Sequence, residues 1–401
     1  MKVKPVILCG GSGTRLFPNF KKNPLKQFID FGGWTLFGKT LDRIKNPIFD
    51  SPIISTNKNY EKLVRRILRK EKIKKFKIIL EPLKKNTAPA IISSILISEI
   101  KINQPVLFLP SDHYLPEKDK FNKILKLNLS NLNTTNIFIF GVKPKFPSSD
   151  YGYLISKKAK KKISKVSKFI EKPNEKKAKK IIKKNGYWNS GIVLARKDSI
   201  INNTKIIQKK LFNSCLDAVI KSKIKNRTIT LNKKYFNEIK AISFDYAILE
   251  KAKEINSIKL DLMWSDLGSW KEIFKIIKSK TKQNILKKNT FYRPWGNYKN
   301  FFKGKNFLLK ELIVNKRSSI SLQKHNHRAE HWTIISGKPK ITVGKKIFFK
   351  KENDTVFVPK GSIHRIENIY DRPVKIIEAQ LGSRLKESDI VRYKDVYGRV
   401  K

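Results

Sequence analysis

The 401-residue chain is long enough for two or three domains, and its 89 Lys and Arg against 32 Asp and Glu residues give a formal net charge of +57. The lysines are spread along the whole chain without a zinc-finger, RNP or helix-turn-helix pattern, so the charge does not indicate specific nucleic-acid binding. Two cysteines argue against a disulfide framework, and no signal peptide or membrane-spanning apolar run is present, so a cytoplasmic protein without membrane partners is expected.

The first predicted element is a buried strand over residues 6–9 that leads directly into a glycine-rich loop. Glycines let backbone N–H groups approach a phosphate without a Cβ clash, and nearby cations can neutralise its charge. The candidate phosphate-binding residues are Gly10, Gly11, Gly13, Thr14, Arg15 and Lys26. Leu16 stands where a dinucleotide-binding fingerprint needs its third glycine, and no P-loop sequence is present. A tight turn near the N-terminus is the structural alternative.

Strands alternate with helices over residues 1–278, which form the first predicted domain. Strands are predicted at 52–55, 77–80, 106–110 and 137–141, helices at 34–44, 61–70 and 175–184, and a further helix opens at Asn86. This order predicts an α/β fold with a doubly wound, mostly parallel sheet that binds ligands at the carboxyl ends of its strands. Asp112 lies just past such an end, where a carboxylate can hold Mg²⁺ or cap a helix.

A second group of residues suits the recognition of a sugar phosphate. Gly152 permits a close backbone approach, Glu171 can accept hydrogen bonds from sugar hydroxyls, and Lys172 can contact a phosphate. Asn189 follows two aromatic residues, a combination that suits a hexose as well as ordinary core packing. Further along, Asp245 is predicted to cap a helix.

The loop sequence G-G-x-G-T-R-L at 10–16, followed by Lys26-Gln27, resembles the signature of sugar-nucleotide pyrophosphorylases, with one departure: Leu25 separates Pro24 from Lys26. Five further motifs resemble those of the family in the same order: L-P-[AS]-D-H at 109–113, F-x-E-K-P at 169–173, W-N-S-G at 188–191, S-x-D-Y-A-x-[ML]-E at 243–250 and W-S-D-x-G-S-W at 264–270. The last two, with N-T-A-P-A at 86–90, resemble the mannose-1-phosphate guanylyltransferase branch. The resemblance implies a Rossmann-like nucleotide-diphospho-sugar transferase fold.

The resemblance also implies the chemistry: GMP passes from GTP to α-D-mannose 1-phosphate, giving GDP-mannose and pyrophosphate. The sugar phosphate is already an anionic nucleophile, so the protein has to supply positioning and charge rather than a general base. Arg15, Lys26, Asp112 and Asp266 are the implied catalytic residues, and the two aspartates would hold Mg²⁺. The implied nucleotide-binding set is Gly10, Gly11, Gly13, Thr14, Arg15, Asn86 and Asp112, and the sugar-phosphate set is Gly152, Glu171, Lys172 and Asn189.

A polar stretch at 279–290 is the predicted linker, and residues 291–401 form a second, all-β domain of short alternating strands. Four of the five histidines lie there: His325, His327, His331 and His364. On one continuous strand His325, His327 and His331 would share a face, and a turn at 359–361 can return His364 to it. Neutral imidazoles suggest a divalent metal site for Zn, Co, Fe or a similar ion. Partly exposed sheet histidines are the alternative.

These histidines resemble the two motifs of a cupin, a jelly-roll domain, with His325-x-His327 as the first and residues 359–368 as the second. Glu330 falls one step before the cupin glutamate position, so Glu330 or His331 is the ligand. The surrounding run resembles the type II phosphomannose isomerase domain, which interconverts mannose 6-phosphate and fructose 6-phosphate. Glu330 or His331 would then move the proton, and Arg399 or another cation would hold the phosphate.

Three alternatives remain open at this stage. The chain is a guanylyltransferase with a non-catalytic cupin, a nucleotidyltransferase for another sugar 1-phosphate, or a non-catalytic protein that binds sugar nucleotides or nucleic acid. GTP, mannose 1-phosphate and hexose 6-phosphates are the expected small-molecule partners. A homo-oligomer is possible, since the sequence does not determine the oligomeric state.

Overall fold

The structure, a computed structural model, describes residues 1–11, 25–31, 33–156, 163–280, 289–304, 306–394 and 396–398, with only the backbone described at 278–280. The predicted site residues Gly13, Thr14, Arg15 and Arg399 therefore lie outside the described residues. The chain divides into two compact units. Thr35–Asp266, with residues 1–11 and 25–29, belongs to the first, and Leu267–Lys401 makes up most of the second.

The first unit alternates strands with helices. Its strands are β1 (Lys4–Leu8), β2 (Ile53–Asn57), β3 (Lys77–Glu81), β4 (Pro105–Pro110), β5 (Ile137–Val142), β6 (Tyr153–Ser156), β7 (Ile163–Ile170), β8 (Tyr187–Arg196), β9 (Lys223–Lys225), β10 (Thr228–Thr230) and β11 (Ile255–Leu260). Its helices are α1 (Leu36–Arg43), α2 (Glu61–Lys70), α3 (Thr87–Leu96), α4 (Lys118–Asn128), α5 (Glu175–Lys183), α6 (Lys197–Ile207), α7 (Lys209–Ile220) and α8 (Lys233–Asn237).

The described strands of this unit form one sheet in the order β5-β11-β7-β6-β8-β4-β1-β2-β3-β10-β9. Strands β4, β1, β2 and β3 are parallel neighbours and are buried on both faces, which explains their near-continuous apolar sequences. Apolar residues of α1, α2, α4 and α5 pack on one face of the sheet, and those of α3, α6, α7 and α8 pack on the other. The doubly wound α/β fold is confirmed.

The sheet is more mixed than the sequence predicts. β8 runs antiparallel to β4, β5 and β6, and β7 runs antiparallel to β6 and β11. Apolar runs identify a buried strand but carry no information about its direction, so the sequence does not predict these antiparallel neighbours. Among the described residues, no helix has both the length and the apolar character needed to span a membrane.

The second unit begins with α9 (Trp270–Lys280) and continues as β-structure. Its strands are β12 (Thr290–Arg293), β13 (Gly296–Lys303), β14 (Phe307–Val314), β15 (Ser318–Ser319), β16 (Leu322–His325), β17 (Arg328–Ser336), β18 (Lys340–Val343), β19 (Lys346–Phe349), β20 (Thr355–Val358), β21 (His364–Asn368), β22 (Val374–Gly382) and β23 (Ile390–Lys394). They form two six-stranded sheets, β12-β13-β14-β22-β17-β20 and β19-β18-β21-β16-β23, with β15 pairing beside β21 in the second.

The core of the second unit explains its alternating sequence pattern. Leu312 and Val314 on β14, Trp332 on β17 and Ile376 on β22 belong to one buried cluster, together with Ile366 on β21 of the other sheet. Every second residue of these strands therefore faces the space between the sheets. The β-rich, cupin-like fold predicted for this part of the chain is confirmed.

Candidate functional site

The carboxyl edge of the parallel strands gathers several predicted residues of the first unit. Gly10 and Gly11 follow β1, Asp112 follows β4, and Asn86 precedes α3 just after β3. Parallel strands end at the same edge of a sheet, so these residues lie at one edge. A Cβ atom added at Gly10 or Gly11 would lie more than 4 Å from the other described residues.

Lys26 connects the two aspartates that the sequence singled out. Its buried Nζ lies 2.8 Å from Oδ2 of Asp112 and also donates to the backbone carbonyl of Asp266. Burial raises the pKa of Asp112, but the charge of Lys26, followed by that of His113, outweighs it and lowers the pKa to about 2. Asp112 therefore stays ionised at neutral pH, as a ligand for a hard cation must be. The structure brings Lys26, Asp112 and Asp266 together.

An aromatic wall continues from Asp266 across the first unit. Tyr151 donates its hydroxyl to Oδ1 of Asp266 at 2.7 Å, and its ring lies 4.7 Å from Trp188 and 5.7 Å from Trp264. Trp264 in turn contacts His113 edge-on at 5.3 Å. The sequence does not identify Tyr151, because nothing in the local pattern links it to a residue 115 positions away. Its proximity to Asp266 makes it part of the site.

Gly191 lies beside the end of β4 and is hydrogen-bonded to Asn189, one of the residues predicted to bind the sugar phosphate. Its φ of +70° lies in the left-handed region, and an added Cβ would lie 3.4 Å from Pro110 and 3.5 Å from His113. The backbone N–H of Gly191 donates to Oδ1 of Asn189 at 3.1 Å. Asn189 is therefore held close to the end of β4, where Asp112 begins the next segment.

The four residues predicted to bind the sugar phosphate lie together. Oε2 of Glu171 is only 2.5 Å from the position that a Cβ of Gly152 would take, so the glycine leaves room for that carboxyl. Lys172 Nζ lies 3.5 Å from Glu171, and the backbone N–H of Asn189 donates to the carbonyl of Gly152 at 2.7 Å. Burial, and then the charge of Asp245, raises the pKa of Glu171 to about 7.

Asp245 belongs to this group and not to a helix cap. It is the first residue of a short π-helical turn, Asp245–Leu249, whose N-cap is Phe244. Its Oδ1 accepts a 2.8 Å hydrogen bond from Nδ2 of Asn189, and burial raises its pKa. The cap prediction was wrong because the side chain turns to a polar partner on β8 that is distant in sequence. The side-chain amide of Asn189 is thus held at both ends, because its Nδ2 donates to Asp245 and its Oδ1 accepts from Gly191.

Asn86 occupies an unusual backbone conformation at the start of α3. Its φ of 69° and ψ of −167° fall in a region that glycine adopts readily and other residues rarely do. The side-chain Oδ1 accepts from the backbone N–H of Thr87 at 2.8 Å, which caps the helix. Asn86 is exposed at the same edge as Gly10, and its role in nucleotide binding stays a prediction.

In the second unit, His325, Glu330 and His364 form the one group of possible metal ligands found among the described residues, with ligand atoms within 4.8 Å of one another. Oε1 of Glu330 lies 3.0 Å from Nε2 of His325, and Oε2 lies 3.7 Å from Nε2 of His364. Nδ1 of His325 faces the carbonyl of Asp389 at 3.3 Å, and Nδ1 of His364 faces the carbonyl of Ser362 at 2.9 Å. These carbonyls favour the tautomer whose Nε2 lone pair points into the group.

The donor set fits a divalent transition metal. The buried Nε2 of His364 has no hydrogen-bond partner in the described part of the chain, which is unusual for a buried polar atom unless it has another ligand. Although burial raises the pKa of Glu330, the charges of His325 and Arg328 lower it well below the ordinary value. Two imidazoles and one carboxylate are ligands that Zn²⁺, Co²⁺ and Fe²⁺ accept.

The expectation that His327 and His331 share this group was wrong. β16 ends at His325 and β17 begins at Arg328, so residue parity does not continue from one to the other, and His327 is exposed in the turn. His331 neighbours Glu330 on β17 and therefore faces the opposite side of the sheet. Burial without an acidic partner lowers its pKa to about 4. The sequence left Glu330 and His331 as alternatives for the ligand at the cupin glutamate position, and the structure brings Glu330 to His325 and His364.

A cavity adjoins Glu330 in the second unit. Its lining includes four cationic side chains and two further carboxylates: Arg293, Lys310, Arg328, Arg392, Glu378 and Glu387. Glu378 and Gln380 were not identified from the sequence, because alternating polar residues on a β-strand indicate an exposed face. Both are buried here. The cavity thus combines cationic side chains with buried carboxyl groups.

Comparison with known proteins assigns each part of the chain. The Nucleotidyl transferase family model matches residues 4–283, and the model named Mannose-6-phosphate isomerase C-terminal matches residues 280–395. The alginate biosynthesis protein AlgA of Pseudomonas fluorescens is 30% identical over 98% of this chain and 96% of its own length. The mannose-1-phosphate guanylyltransferase of Escherichia coli K12 is 28% identical over 100% of this chain and 99% of its own length.

Solved structures share the fold. A mannose-6-phosphate isomerase from Helicobacter pylori is 25% identical, covers 66% of this chain with all of its own, and superimposes with a TM-score of 0.58. A mannose-1-phosphate geranyltransferase from Thermus thermophilus is 22% identical, covers 70% of this chain with 80% of its own, and gives a TM-score of 0.60.

Proposed function

We propose that this chain, which belongs to the nucleotidyl transferase family and carries a mannose-6-phosphate isomerase C-terminal domain, makes GDP-mannose from GTP and α-D-mannose 1-phosphate. Full-length relatives named mannose-1-phosphate guanylyltransferase support the activity. We assign it to residues 1–278 and the isomerase to residues 291–401, joined by 279–290. The observation that carries the transferase proposal is the convergence of Lys26, Asp112 and Asp266.

The residues of the first unit suit an in-line attack on the α-phosphorus of GTP. Asp112 and Asp266 would hold Mg²⁺, which would offset the negative charge on the phosphates. Lys26 is buried beside both aspartates and can stabilise charge that develops on the transferring phosphate. Glu171 and Asn189 would bind sugar hydroxyls, and Lys172 would bind the sugar phosphate. Pyrophosphate leaves, and no general base is needed.

The second unit supports a mannose 6-phosphate isomerase. His325, Glu330 and His364 would hold a divalent metal that polarises the substrate carbonyl. The cationic residues of the adjoining cavity, Arg293, Lys310 and Arg392, would bind the phosphate of a hexose 6-phosphate. We infer a cytoplasmic location, where GTP and both sugar phosphates are available.

The transferase proposal is tested by pyrophosphate release from purified protein with Mg²⁺, in a panel of four nucleoside triphosphates against several sugar 1-phosphates. Release with GTP and mannose 1-phosphate is expected, and D112N should lose it. The control variant D119N replaces an exposed aspartate on α4 of the same unit and should keep wild-type activity. Release with another sugar 1-phosphate but none with mannose 1-phosphate would refute the substrate assignment.

The isomerase proposal is tested separately. Metal is removed from the protein with a chelator, and Zn²⁺, Co²⁺ or Fe²⁺ is then added back. A coupled assay should detect conversion of mannose 6-phosphate to fructose 6-phosphate. If no metal restores conversion while the transferase remains active, the cupin-like unit is non-catalytic.

A further inference from the structure

We propose that Glu378, rather than Glu330, is the group that carries the proton between C1 and C2 of the hexose 6-phosphate. The proposal rests on the isomerase activity proposed above. It assigns Glu330 to the metal group and gives the proton transfer to a second buried carboxyl in the same cavity.

Strand register places Glu378 between a cation and the metal group. On the three neighbouring strands β14, β22 and β17, Lys310 pairs with Glu378, and Glu378 pairs with Trp332. Two residues along β22, Gln380 pairs with Glu330. Alternate residues of a strand share a face, so all of these side chains lie on the inner side of the sheet with the core residues of the second unit.

Two donors link the carboxyl groups of Glu330 and Glu378. Nε2 of Gln380 donates to Oε1 of Glu330 at 3.1 Å and to Oε1 of Glu378 at 2.7 Å. The indole N–H of Trp332 is shared between Oε2 of Glu330 at 3.1 Å and Oε2 of Glu378 at 3.2 Å. Both carboxyl groups are thus fixed side by side, and such fixed placement is what a proton-transfer group requires.

The two carboxyl groups have different surroundings, which separates their roles. Glu330 is engaged by Nε2 of His325 at 3.0 Å and by the guanidinium of Arg328 at 3.1 Å. The nearest cation to Glu378 is Lys310, 4.0 Å away, which is itself 3.0 Å from Glu387. Each oxygen of Glu378 accepts one hydrogen bond and retains a second lone pair. Glu378 is therefore the carboxyl that can take a proton.

The position of Glu378 suits a reversible proton transfer. Such a group must accept a proton from one carbon and return it to the other without moving far. Its carboxyl is held beside the metal group by Gln380 and Trp332, and each of its oxygens keeps a lone pair for the substrate.

The proposed step balances without any further reactant. In open-chain mannose 6-phosphate, the Glu378 carboxylate removes the proton from C2, the C2–H electron pair forms the C1–C2 double bond, and the electrons of the carbonyl bond move to O1. The proton on O2 passes to O1 as the C2–O2 bond becomes a carbonyl. The electrons of the C1–C2 double bond then take the proton from Glu378 at C1, which gives fructose 6-phosphate.

The experiment compares E378Q with E330Q and with E367Q in the full-length, metal-loaded protein. Glu367 is a half-buried carboxylate of the same unit that pairs with Lys340 and Arg365, away from the cavity, and serves as the matched control. E378Q should lower the isomerisation kcat by at least about 100-fold with the KM for mannose 6-phosphate within a few-fold of wild type. Bound metal, measured by elemental analysis, should be retained in E378Q and lost in E330Q.

Hydrogen exchange gives a second readout. In D₂O the wild type should place solvent deuterium at C2 of mannose 6-phosphate formed from fructose 6-phosphate, and E378Q should not. If E378Q fails to fold by circular dichroism, E378D decides the matter. Its shortened carboxyl should lower kcat at least about tenfold without loss of metal, and an unchanged kcat would overturn the proposal.

The outcomes separate the two claims. No isomerisation by the metal-loaded wild type contradicts the proposed function of this unit. An active wild type, with E378Q retaining both its kcat and its deuterium exchange, contradicts the role of Glu378 alone.

Discussion

At the scale of single residues, Lys26 links the two aspartates of the proposed transferase site. Its ammonium group is buried against Asp112 and the backbone of Asp266, and it keeps the pKa of Asp112 low. The sequence predicted a role for Lys26 despite the displaced proline before it, and the structure brings it to both aspartates. The sequence could not predict that Tyr151 and Asp245 belong to the same site, because their contacts join segments more than 50 positions apart.

Replacing Lys26 tests its electrostatic role. K26M keeps much of the side-chain volume but removes the charge beside Asp112. We expect the transferase kcat to fall by about 100- to 1,000-fold, the usual cost of losing one preorganised charge at a reacting phosphate. The control variant K45M replaces an exposed lysine of the same unit that pairs with Glu71, and it should release pyrophosphate at the wild-type rate. A K26M kcat within about threefold of wild type would contradict the assignment.

Glu171 predicts a pH dependence for sugar binding. Its pKa of about 7 is raised by burial, so the carboxyl is mostly protonated at pH 6 and mostly ionised at pH 8. The ionised form accepts hydrogen bonds from sugar hydroxyls. The KM for mannose 1-phosphate should therefore fall as pH rises through 7, by up to about tenfold between pH 6 and pH 8.

The phosphate of the substrate titrates in the same range, and E171Q separates the two effects. This variant should bind the sugar phosphate more weakly at pH 8 and should lose the part of the pH step that depends on the carboxyl. If the KM of E171Q changes with pH as much as the KM of the wild type does, the pH dependence comes from the phosphate of the substrate.

At the scale of elements, the strands and helices that the sequence predicted in the first domain lie close to their observed bounds, because long apolar runs and a helical period depend on local residues alone. The prediction for 61–70 coincides with α2, and those for 77–80 and 106–110 agree with β3 and β4 to within one residue. It failed where a short turn resets the residue parity, as between His325 and Arg328, and where strand direction matters, as for β8. Neither property is encoded within one element.

The start of α3 combines a helix cap with an unfavourable backbone conformation. Asn86 caps the helix from a backbone conformation that favours glycine. N86G should relieve the strain and leave the protein as stable as wild type or more so, whereas N86A loses the cap without relief and should cost about 1 kcal/mol. For a unit of this size that corresponds to a fall of about 2 °C in the thermal midpoint.

The same two variants test the predicted nucleotide contact. If Asn86 binds GTP, both should raise the KM for GTP several-fold, N86G in spite of its stability. If the KM for GTP rises only in the less stable N86A variant, Asn86 caps the helix and does not contact the nucleotide.

At the scale of the whole molecule, the two compact units carry separate groups of functional residues. The convergence of Lys26, Asp112 and Asp266 lies within the first, and the group of His325, Glu330 and His364 lies within the second. The change from helix–strand alternation to short alternating strands predicts two domains with a linker at 279–290, since each pattern fits a different kind of layer packing. The two compact units divide mainly between Asp266 and Leu267. The sequence could not predict which of the four histidines meet.

Separate sites predict separate losses. D112N should abolish pyrophosphate release and leave isomerisation of mannose 6-phosphate within about twofold of wild type, and H364Q should do the reverse. Each variant is the other's folding control, and both activities are measured on the same preparation. Loss of both activities in either variant, with normal circular dichroism, would show that the two reactions depend on one another.

Strand β17 supplies the second unit with two different surfaces: Glu330 and Trp332 point inward, while His331 points to the other side of the sheet. Removing or adding one residue within this strand would therefore exchange the two sets, placing an imidazole where the carboxylate stands and moving the carboxylate away from the two histidines. Insertions or deletions there can be accommodated only in pairs. Engineering of this strand should proceed by substitution at fixed length.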